Sequence, residues 1–543
     1  MRKKSKIQLF ACLIAIFFGV AEAKSQVQQA KDSILTILPG EGWWGGSVNE
    51  GHIMPFGIKN YSLDLYDSND GNQTAAFLLS NKGRYIWSEK PFRFSIKDNS
   101  ITIDKTNAIV VYGKNGSTLK EAYQQTSHAY FPTTGLWPDS LLVKSPQYNL
   151  WIELLYNPNQ KDVQAYANTV LANGWPAGVL MIDDNWTQYY GQFDFDKVKF
   201  PDPKVLIDRL HSQGFKVMLW VCPFITADSP TFRELAEKKL LFLDNEGKKD
   251  AGWKDVSKPL IMRWWNGYSG HLDLTNPAAI EWLNGRLDFL QKQYGVDGFK
   301  LDAGDADFFT SENLVSYKKS SPVEIAKAWN ELGVKYPLNE YRACWQMGGQ
   351  PLVQRLRDKY HTWDDVQKLI PHTFVQQLFG YTFTCPDMIG GGDYSSFLPG
   401  SNMDPKLIVR SAQCSALMPM MQFSVAPWRV LDSVHYAAVS KIVALRQRYV
   451  PYIMQVLRNS AKTGEPALKS LEYDFPNQGF MNVNDQFMLG DKLMIAPVVT
   501  TNDTRKVIIP KGKWKLNDKI ITGPAVNTYT VALDQLLIFE KVK

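Results

Sequence analysis

The chain has 543 residues, a length that fits two to four domains. Its formal charge of +6 is too small to point to nucleic acid, and 7 His with 5 scattered Cys offer no metal-ligand spacing. Aromatic residues make up 13% of the chain, with 17 Trp; that content suits a large core and is also compatible with sugar binding, because pyranose C–H faces stack on indole.

Residues 1–23 read as a signal peptide. Arg2, Lys3, Lys4 and Lys6 form a basic start, Ile7 to Val20 is mostly apolar, and Ala21-Glu22-Ala23 fits a small-x-small cleavage site. The apolar stretch is too short to span a membrane, and Cys12 lies inside it rather than after it, unlike a lipoprotein signal. The expectation is an exported protein, periplasmic or secreted, with a mature chain starting near Lys24. Residues 1–23 hold four basic side chains and one acid, so +3 remains of the formal +6. No later run reaches about 18 apolar residues, and no membrane insertion is expected. Cys222, Cys344, Cys385 and Cys414 read as buried thiols, with a disulfide left open.

From about residue 33 to 135 short alternating runs such as Tyr61-Ser62-Leu63-Asp64-Leu65 and Ile101-Thr102-Ile103 are divided by Asn, Gly and Asp turns, the pattern of a β-sandwich. The pattern changes near Pro146. Strands are expected at Trp151 to Tyr156, Gly178 to Asp184, Phe215 to Phe224, Val296 to Asp302, Arg342 to Met347 and Tyr381 to Asp387. Helical spacing covers Lys161 to Asn173, Pro203 to Ser212 and Pro277 to Gln293. Alternating strands and helices over roughly 300 residues predict a central (β/α)₈ barrel. β-type runs return from about Leu468, including Leu493 to Val499 and Lys506 to Ile509. The expected domains are 1–23 signal peptide, 24–145 N-terminal β-sandwich, 146–460 catalytic barrel and 461–543 C-terminal β domain.

The most informative segment is Asp297 to Asp305, Asp-Gly-Phe-Lys-Leu-Asp-Ala-Gly-Asp. It delivers Asp302 from a strand into a small-residue loop, the position where βα barrels place catalytic groups. Lys300 lies two residues earlier and shares a strand face with it, so its charge would help keep the carboxylate ionised. Other expected strands end in Asp183-Asp184-Asn185-Trp186, in Trp220-Val221-Cys222-Pro223 and in Cys385-Pro386-Asp387, and another carries Arg342. In a barrel these ends converge, and carboxylates, cations and Trp walls suit a neutral polyhydroxylated ligand.

These residues resemble glycoside hydrolase family 31 over nearly the whole mature chain. The Asp302 segment is similar to the family's nucleophile motif. Arg342, Asp358 and Asp387 reproduce the order and spacing of its substrate-binding Arg, general acid/base Asp and a second sugar-binding Asp. Leu489-Gly490-Asp491, Ala496-Pro497-Val498 and Pro510-Lys511-Gly512-Lys513-Trp514 are similar to its first C-terminal β domain. Within the family the resemblance is to the group holding myogenesis-regulating glycosidase and bacterial α-galactosidases, through Phe193-Asp194-Phe195-Asp196, Phe200-Pro201-Asp202, Arg263-Trp264-Trp265-Asn266-Gly267 and Cys385-Pro386-Asp387-Met388. The Asp183-Asp184 pair also resembles the aspartates that α-galactosidases of families 27 and 36 place on galactose O4 and O6. Two departures stand out: Arg357 and Lys359 flank Asp358, and Ser424 stands where many members carry a sugar-binding His.

The resemblance implies a retaining exo-acting α-glycoside hydrolase, an α-galactosidase, with Asp302 as nucleophile and Asp358 as acid/base. It implies substrate binding by Asp183, Asp184, Trp220, Lys300, Arg342 and Asp387. Of Trp264 and Trp265 one is expected as a stacking wall, and Trp264 is our choice. No cofactor and no metal is expected; the partner is an α-linked oligosaccharide or glycoside, and oligomeric state stays open. The rival readings are an α-glucosidase or α-xylosidase with the same machinery, a transglycosidase, and a non-catalytic carbohydrate-binding protein.

Overall fold

In the computed structural model, residues 27–28, 33–57, 59–104, 106, 108–245 and 258–542 are described. The signal peptide, Cys12 and the expected start at Lys24 lie outside them. The N-terminal domain is built from alternating patterns such as Arg93–Lys97, in which Phe94 and Ile96 are buried while Arg93 and Lys97 are exposed. One sheet has four strands, Ser33–Thr36, Ser100–Asp104, Arg93–Lys97 and Tyr61–Asp64. The other is centred on Gln73–Ser80, which is buried along its whole length. Phe56, bridged to Trp43 of that sheet, packs on Phe94 of the first.

The barrel strands are β1 (Gln147–Asn149), β2 (Val179–Ile182), β3 (Lys216–Val221), β4 (Gly298–Leu301), β5 (Leu338–Tyr341), β6 (Gln354–Arg355), β7 (Thr384–Cys385) and β8 (Gln422–Phe423). They form one eight-stranded parallel sheet in the spatial order β7-β6-β5-β4-β3-β2-β1-β8. A parallel bridge from Met388 to Gln422 brings the residues after β7 against β8 and nearly closes the ring. β2, β3 and β4 read as almost unbroken apolar runs because both faces are covered, by the barrel interior and by the helices. Those helices begin at strong caps: Asn159, Asp202, Asn276 and Thr362 each accept a backbone N–H of the first turn.

Several expected strands sit elsewhere. Trp151–Leu154 is a short helix, and the first strand lies before it at β1. Asn149 Oδ1 accepts the Trp151 N–H at 2.9 Å, so the chain turns there instead of extending. The barrel strand expected at Arg342 to Met347 lies earlier, at Leu338–Tyr341; Cys344–Trp345 then leaves the barrel and pairs in parallel with Gln73 and Thr74 of the N-terminal sheet. After β3, Phe224–Thr226, Met262–Trp264 and Gly267–His271 form a three-stranded antiparallel sheet over the barrel mouth side.

The helix Ser433–Thr463 runs past the expected boundary at 460. Beyond it, six antiparallel strands from Leu468–Lys469 to Leu537–Val542 make the C-terminal domain, with Trp514, Val507, Ile509 and Phe539 in its core. Cys222, Cys344, Cys385 and Cys414 are free buried thiols. Among the described residues no helix is long and apolar enough to cross a membrane.

Candidate active site

The C-terminal ends of the barrel strands open into a cavity of about 510 Å³, the face on which such barrels carry chemistry. Asp183 and Asp184 reach it from the end of β2, Trp220 from β3, Lys300 and Asp302 from β4, Arg342 from β5 and Asp358 from β6. Three non-glycine residues at these strand ends have left-handed backbones: Asn185 (φ 69), Ala303 (φ 60) and Asp387 (φ 87). Such conformations persist only where the surroundings hold them. On a regular strand Asp183 and Asp184 would face opposite ways; with the chain turning at Asn185, both line the cavity.

Asp302 is held from three sides. Its Oδ2 accepts Trp220 Nε1 at 3.0 Å; its Oδ1 accepts Arg342 Nη2 at 3.2 Å and the Ala303 N–H at 2.9 Å. Burial alone would raise its pKa, but Arg342, Lys300 and Arg355 outweigh burial and hold the carboxyl below the usual range. Lys300 acts on it from a distance, since its Nζ donates to Asp183 Oδ2 at 2.8 Å. Asp184 differs. Burial and the neighbouring Asp183 push it up to about 6, against hydrogen bonds from Asn266 Nδ2 at 2.7 Å and Tyr190 Oη at 3.0 Å.

Asp358 is half-exposed in the cavity, and its Oδ1 accepts Arg355 Nη1 at 2.7 Å. Against the raising effect of burial, Arg355, Arg342 and Lys300 lower its pKa. The main lowering cation is Arg355, three residues earlier, rather than the flanking Arg357 and Lys359. Arg357 Nη1 instead donates to the Asp70 carbonyl at 3.1 Å. Arg355 itself is buried, with Nε on Glu340 Oε1 at 3.2 Å and Nη1 on Asp387 Oδ1 at 2.6 Å. Glu340 Oε2 accepts Gln422 Nε2 at 2.7 Å, so a polar chain crosses the barrel interior from β8 to Asp358.

Two expected ligands do not line the cavity. Asp387 is 1% exposed and bound within the protein. Trp264 lies behind the wall, stacked on Phe224 at 4.4 Å between ring centres; Trp265, half-exposed, is the one in the lining. Ser424 is fully buried and its Oγ accepts the Ile152 N–H at 2.9 Å, away from the cavity. Sequence reasoning missed Arg355, Glu340, Asn266 and Tyr190 as parts of the site. It also missed Asp305, although Asp305 closes the Asp297–Asp305 segment; its carboxylate takes a two-pronged contact from Arg342 at 2.8 and 2.7 Å.

The N-terminal domain reaches this site through residues 69–73. Gly71 O accepts Arg342 Nη1 at 2.8 Å, and Asn72 Oδ1 accepts the Arg357 N–H at 3.1 Å. Gln73 Nε2 donates to the carbonyls of both Arg342 and Arg355. A Cβ on Gly71 would stand 2.5 Å from Arg342 Nη1 and 3.1 Å from Asp305 Oδ1, at φ +63. Gly71→Ala is therefore expected to displace Arg342 and slow turnover at least about tenfold, since small misplacements near reacting groups are costly. With Arg342 displaced, the Asp302 pKa rises, so the acidic limb of the pH–rate profile moves toward neutral. A pH–rate profile beside a thermal melt checks this; an unmoved limb would show that Arg342 tolerates the methyl group.

Residues 146–456 match the family described as Glycosyl hydrolases family 31 TIM-barrel domain, and residues 464–541 match the Glycosyl hydrolase family 31 C-terminal domain. The chain is similar to the myogenesis-regulating glycosidase of Mus musculus, 31% identical over 440 residues, covering 78% of this chain and 60% of that protein. An α-xylosidase of Lactiplantibacillus pentosus is 24% identical over 495 residues, covering 82% of this chain and 59% of that protein. The chain thus spans about 60% of the length of these curated relatives. The fold is shared with a Flavobacterium johnsoniae dextranase solved with glucose, at a TM-score of 0.81 and 19% identity, covering 94% of this chain and 66% of that one.

Proposed function

The chain belongs to glycoside hydrolase family 31, and from that premise we propose that it is a retaining, exo-acting α-galactosidase. Asp302 attacks the anomeric carbon and forms a covalent glycosyl-enzyme; Asp358 protonates the leaving oxygen and then deprotonates the incoming water. The observation that carries this reading is the contrast between the two carboxylates in one cavity. Asp302 is held ionised by Trp220 and Arg342, as a nucleophile needs. Asp358 stands half-exposed, where a leaving group and water can reach it. Trp265 offers a stacking face, and Arg342 already lies over its ring at 5.9 Å.

Galactose and glucose differ only in the orientation of the C4 hydroxyl, and a pocket separates them strongly only through directed polar partners. Asp183, oriented by Lys300, and Asp184, oriented by Asn266 and Tyr190, support a clamp on O4 and O6. The similarity to the myogenesis-regulating glycosidase supports the same subgroup. The α-xylosidase relative favours the rival reading, an α-xylosidase or α-glucosidase using the same Asp302 and Asp358. The order of basic, apolar and small residues in 1–23 supports export to the periplasm or medium.

A panel of p-nitrophenyl α-glycosides assayed with pure protein tests the reading. The galactoside is expected to turn over fastest. Asp183→Ala and Asp184→Ala should each weaken galactoside turnover about tenfold or more, as loss of a charged hydrogen-bond partner costs about 1.5–3 kcal/mol. At least one of them should narrow the galactose-to-glucose ratio. Faster cleavage of the α-glucoside or α-xyloside by wild type would remove the galactose assignment and leave a family 31 α-glycosidase.

A further inference from the structure

Arg355 Nη1 serves two carboxylates at once, Asp358 Oδ1 at 2.7 Å and Asp387 Oδ1 at 2.6 Å. The second carboxylate has no face on the cavity. Its side chain is fully buried, and its Oδ2 accepts the Lys359 N–H at 2.8 Å. A sugar hydroxyl therefore meets Asp358 but not Asp387. We propose that Asp387 is a positioning residue that, through the nitrogen of Arg355 it shares with Asp358, keeps Asp358 able to hold the proton delivered to the leaving group. This rests on the reading of Asp358 as the acid/base.

Among the charges facing Asp358 the cations outnumber the carboxylates. Facing Asp358 are Arg355 from β6, Arg342 after β5, Lys300 from β4, the adjacent Lys359 and Asp302 after β4. Four of these are cations that draw the proton off, the wrong direction for a general acid. Asp302 opposes them while it is ionised, and Asp387 adds to that opposition through Arg355. Facing Asp387 are Arg355, Asp358, Lys359 and the buried Cys385 thiol of β7, and Glu340 of β5 engages the far side of Arg355. The charge of Asp387 lies directly on the guanidinium that pulls hardest on Asp358. With that charge in place, Arg355 is offset; without it, Arg355 pulls on Asp358 alone from that side. Burial and the charge of Asp358 push Asp387 up to about 7, so the pair takes up one shared proton near neutral pH, and the form that delivers it has the proton on Asp358 and the charge on Asp387.

The test is Asp387→Asn, which keeps the shape and removes the charge. The alkaline limb of kcat/KM is expected to move at least one pH unit toward acid. At neutral pH turnover of an alkyl α-galactoside should fall at least tenfold, while a 2,4-dinitrophenyl α-galactoside, which needs no proton, falls much less, and KM stays near wild type. An unmoved limb, an equal fall on both substrates, or a raised KM at unchanged kcat would overturn the proposal, the last by making Asp387 a sugar ligand. Asp358→Ala measured in parallel separates the two levels. If it shows no leaving-group dependence, the acid/base reading fails and takes the proposal with it; if it does while the Asp387→Asn limb stays put, only the proposal fails. Should Asp387→Asn not fold, Asp358→Asn gives the reciprocal measurement. The carboxyl that titrates near neutral pH, followed by infrared difference spectroscopy, should then titrate at lower pH, and an unchanged midpoint overturns the coupling.

Discussion

Asp302→Asn is expected to lower turnover on the order of 10⁴-fold or more, on activated and natural glycosides alike, while the protein stays folded. Losses of this size accompany removal of a nucleophile whose partners remain in place. The surroundings of Asp302 make the loss specific. Trp220 Nε1 and Arg342 Nη2 donate to its two oxygens, so the carboxylate is fixed in orientation and charge before substrate arrives. Asparagine keeps the size but turns an NH₂ toward one of these donors. Arg342 retains its two-pronged contact with Asp305 and its bond to Gly71 O, which is why the fold should survive. A thermal melt close to wild type beside a lost rate is the expected pair of measurements. A variant keeping more than about a tenth of the wild-type rate would remove Asp302 from the nucleophile role. The pH dependence carries the same message. Because Arg342, Lys300 and Arg355 hold Asp302 low, wild-type activity should persist well into acid before protonation of Asp302 cuts it off.

What was legible in the sequence was what sits in local pattern. Val179–Ile182, Lys216–Val221 and Gly298–Leu301 are apolar runs long enough to show a strand, and the carboxylates after the first and third of these could be read with them. Gln354–Arg355 is a strand of two residues with no period to detect, and Arg355 stands in an Arg-Leu-Arg-Asp-Lys run that resembles a solvated surface. Only the fold buries it, between β5 and β7, where Glu340 and Asp387 meet it. The choice between Trp264 and Trp265 likewise depends on which ring finds Phe224, a contact between different strands of the added sheet. The role of Gly71 is invisible in sequence, because Arg342 lies 271 residues away.

For Asp358 the expected result depends on the leaving group. Asp358→Ala should cut hydrolysis of natural glycosides about 10²–10⁴-fold, the usual contribution of a proton-transfer group. Substrates with a good leaving group should be largely spared in the first step, since they depart without a proton. The second step, water attacking the glycosyl-enzyme, also loses its base, so such substrates should show a burst followed by slow turnover. Added azide, a nucleophile that needs no deprotonation, should restore the second step and yield a glycosyl azide. The wild-type pH profile adds a sign. Arg355, Arg342 and Lys300 favour the ionised form of Asp358, so its protonated fraction, and with it kcat/KM, should decline as pH rises from acid toward neutral. An equal fall on both substrate types with no azide effect would assign the acid elsewhere. Asp364 and Asp365, the next carboxylates along the chain, are poor replacements. Asp364 is exposed and paired with Lys368, and Asp365 accepts the Tyr360 N–H at 2.6 Å at the start of the helix Trp363–Leu378. Neither lines the cavity, whereas Asp307 and Asp393 do. Those two would be the carboxylates to test next, and Asp307, whose pKa is raised by burial and by Asp305 and Asp70 despite a bond from Ser68, is the better suited to hold a proton.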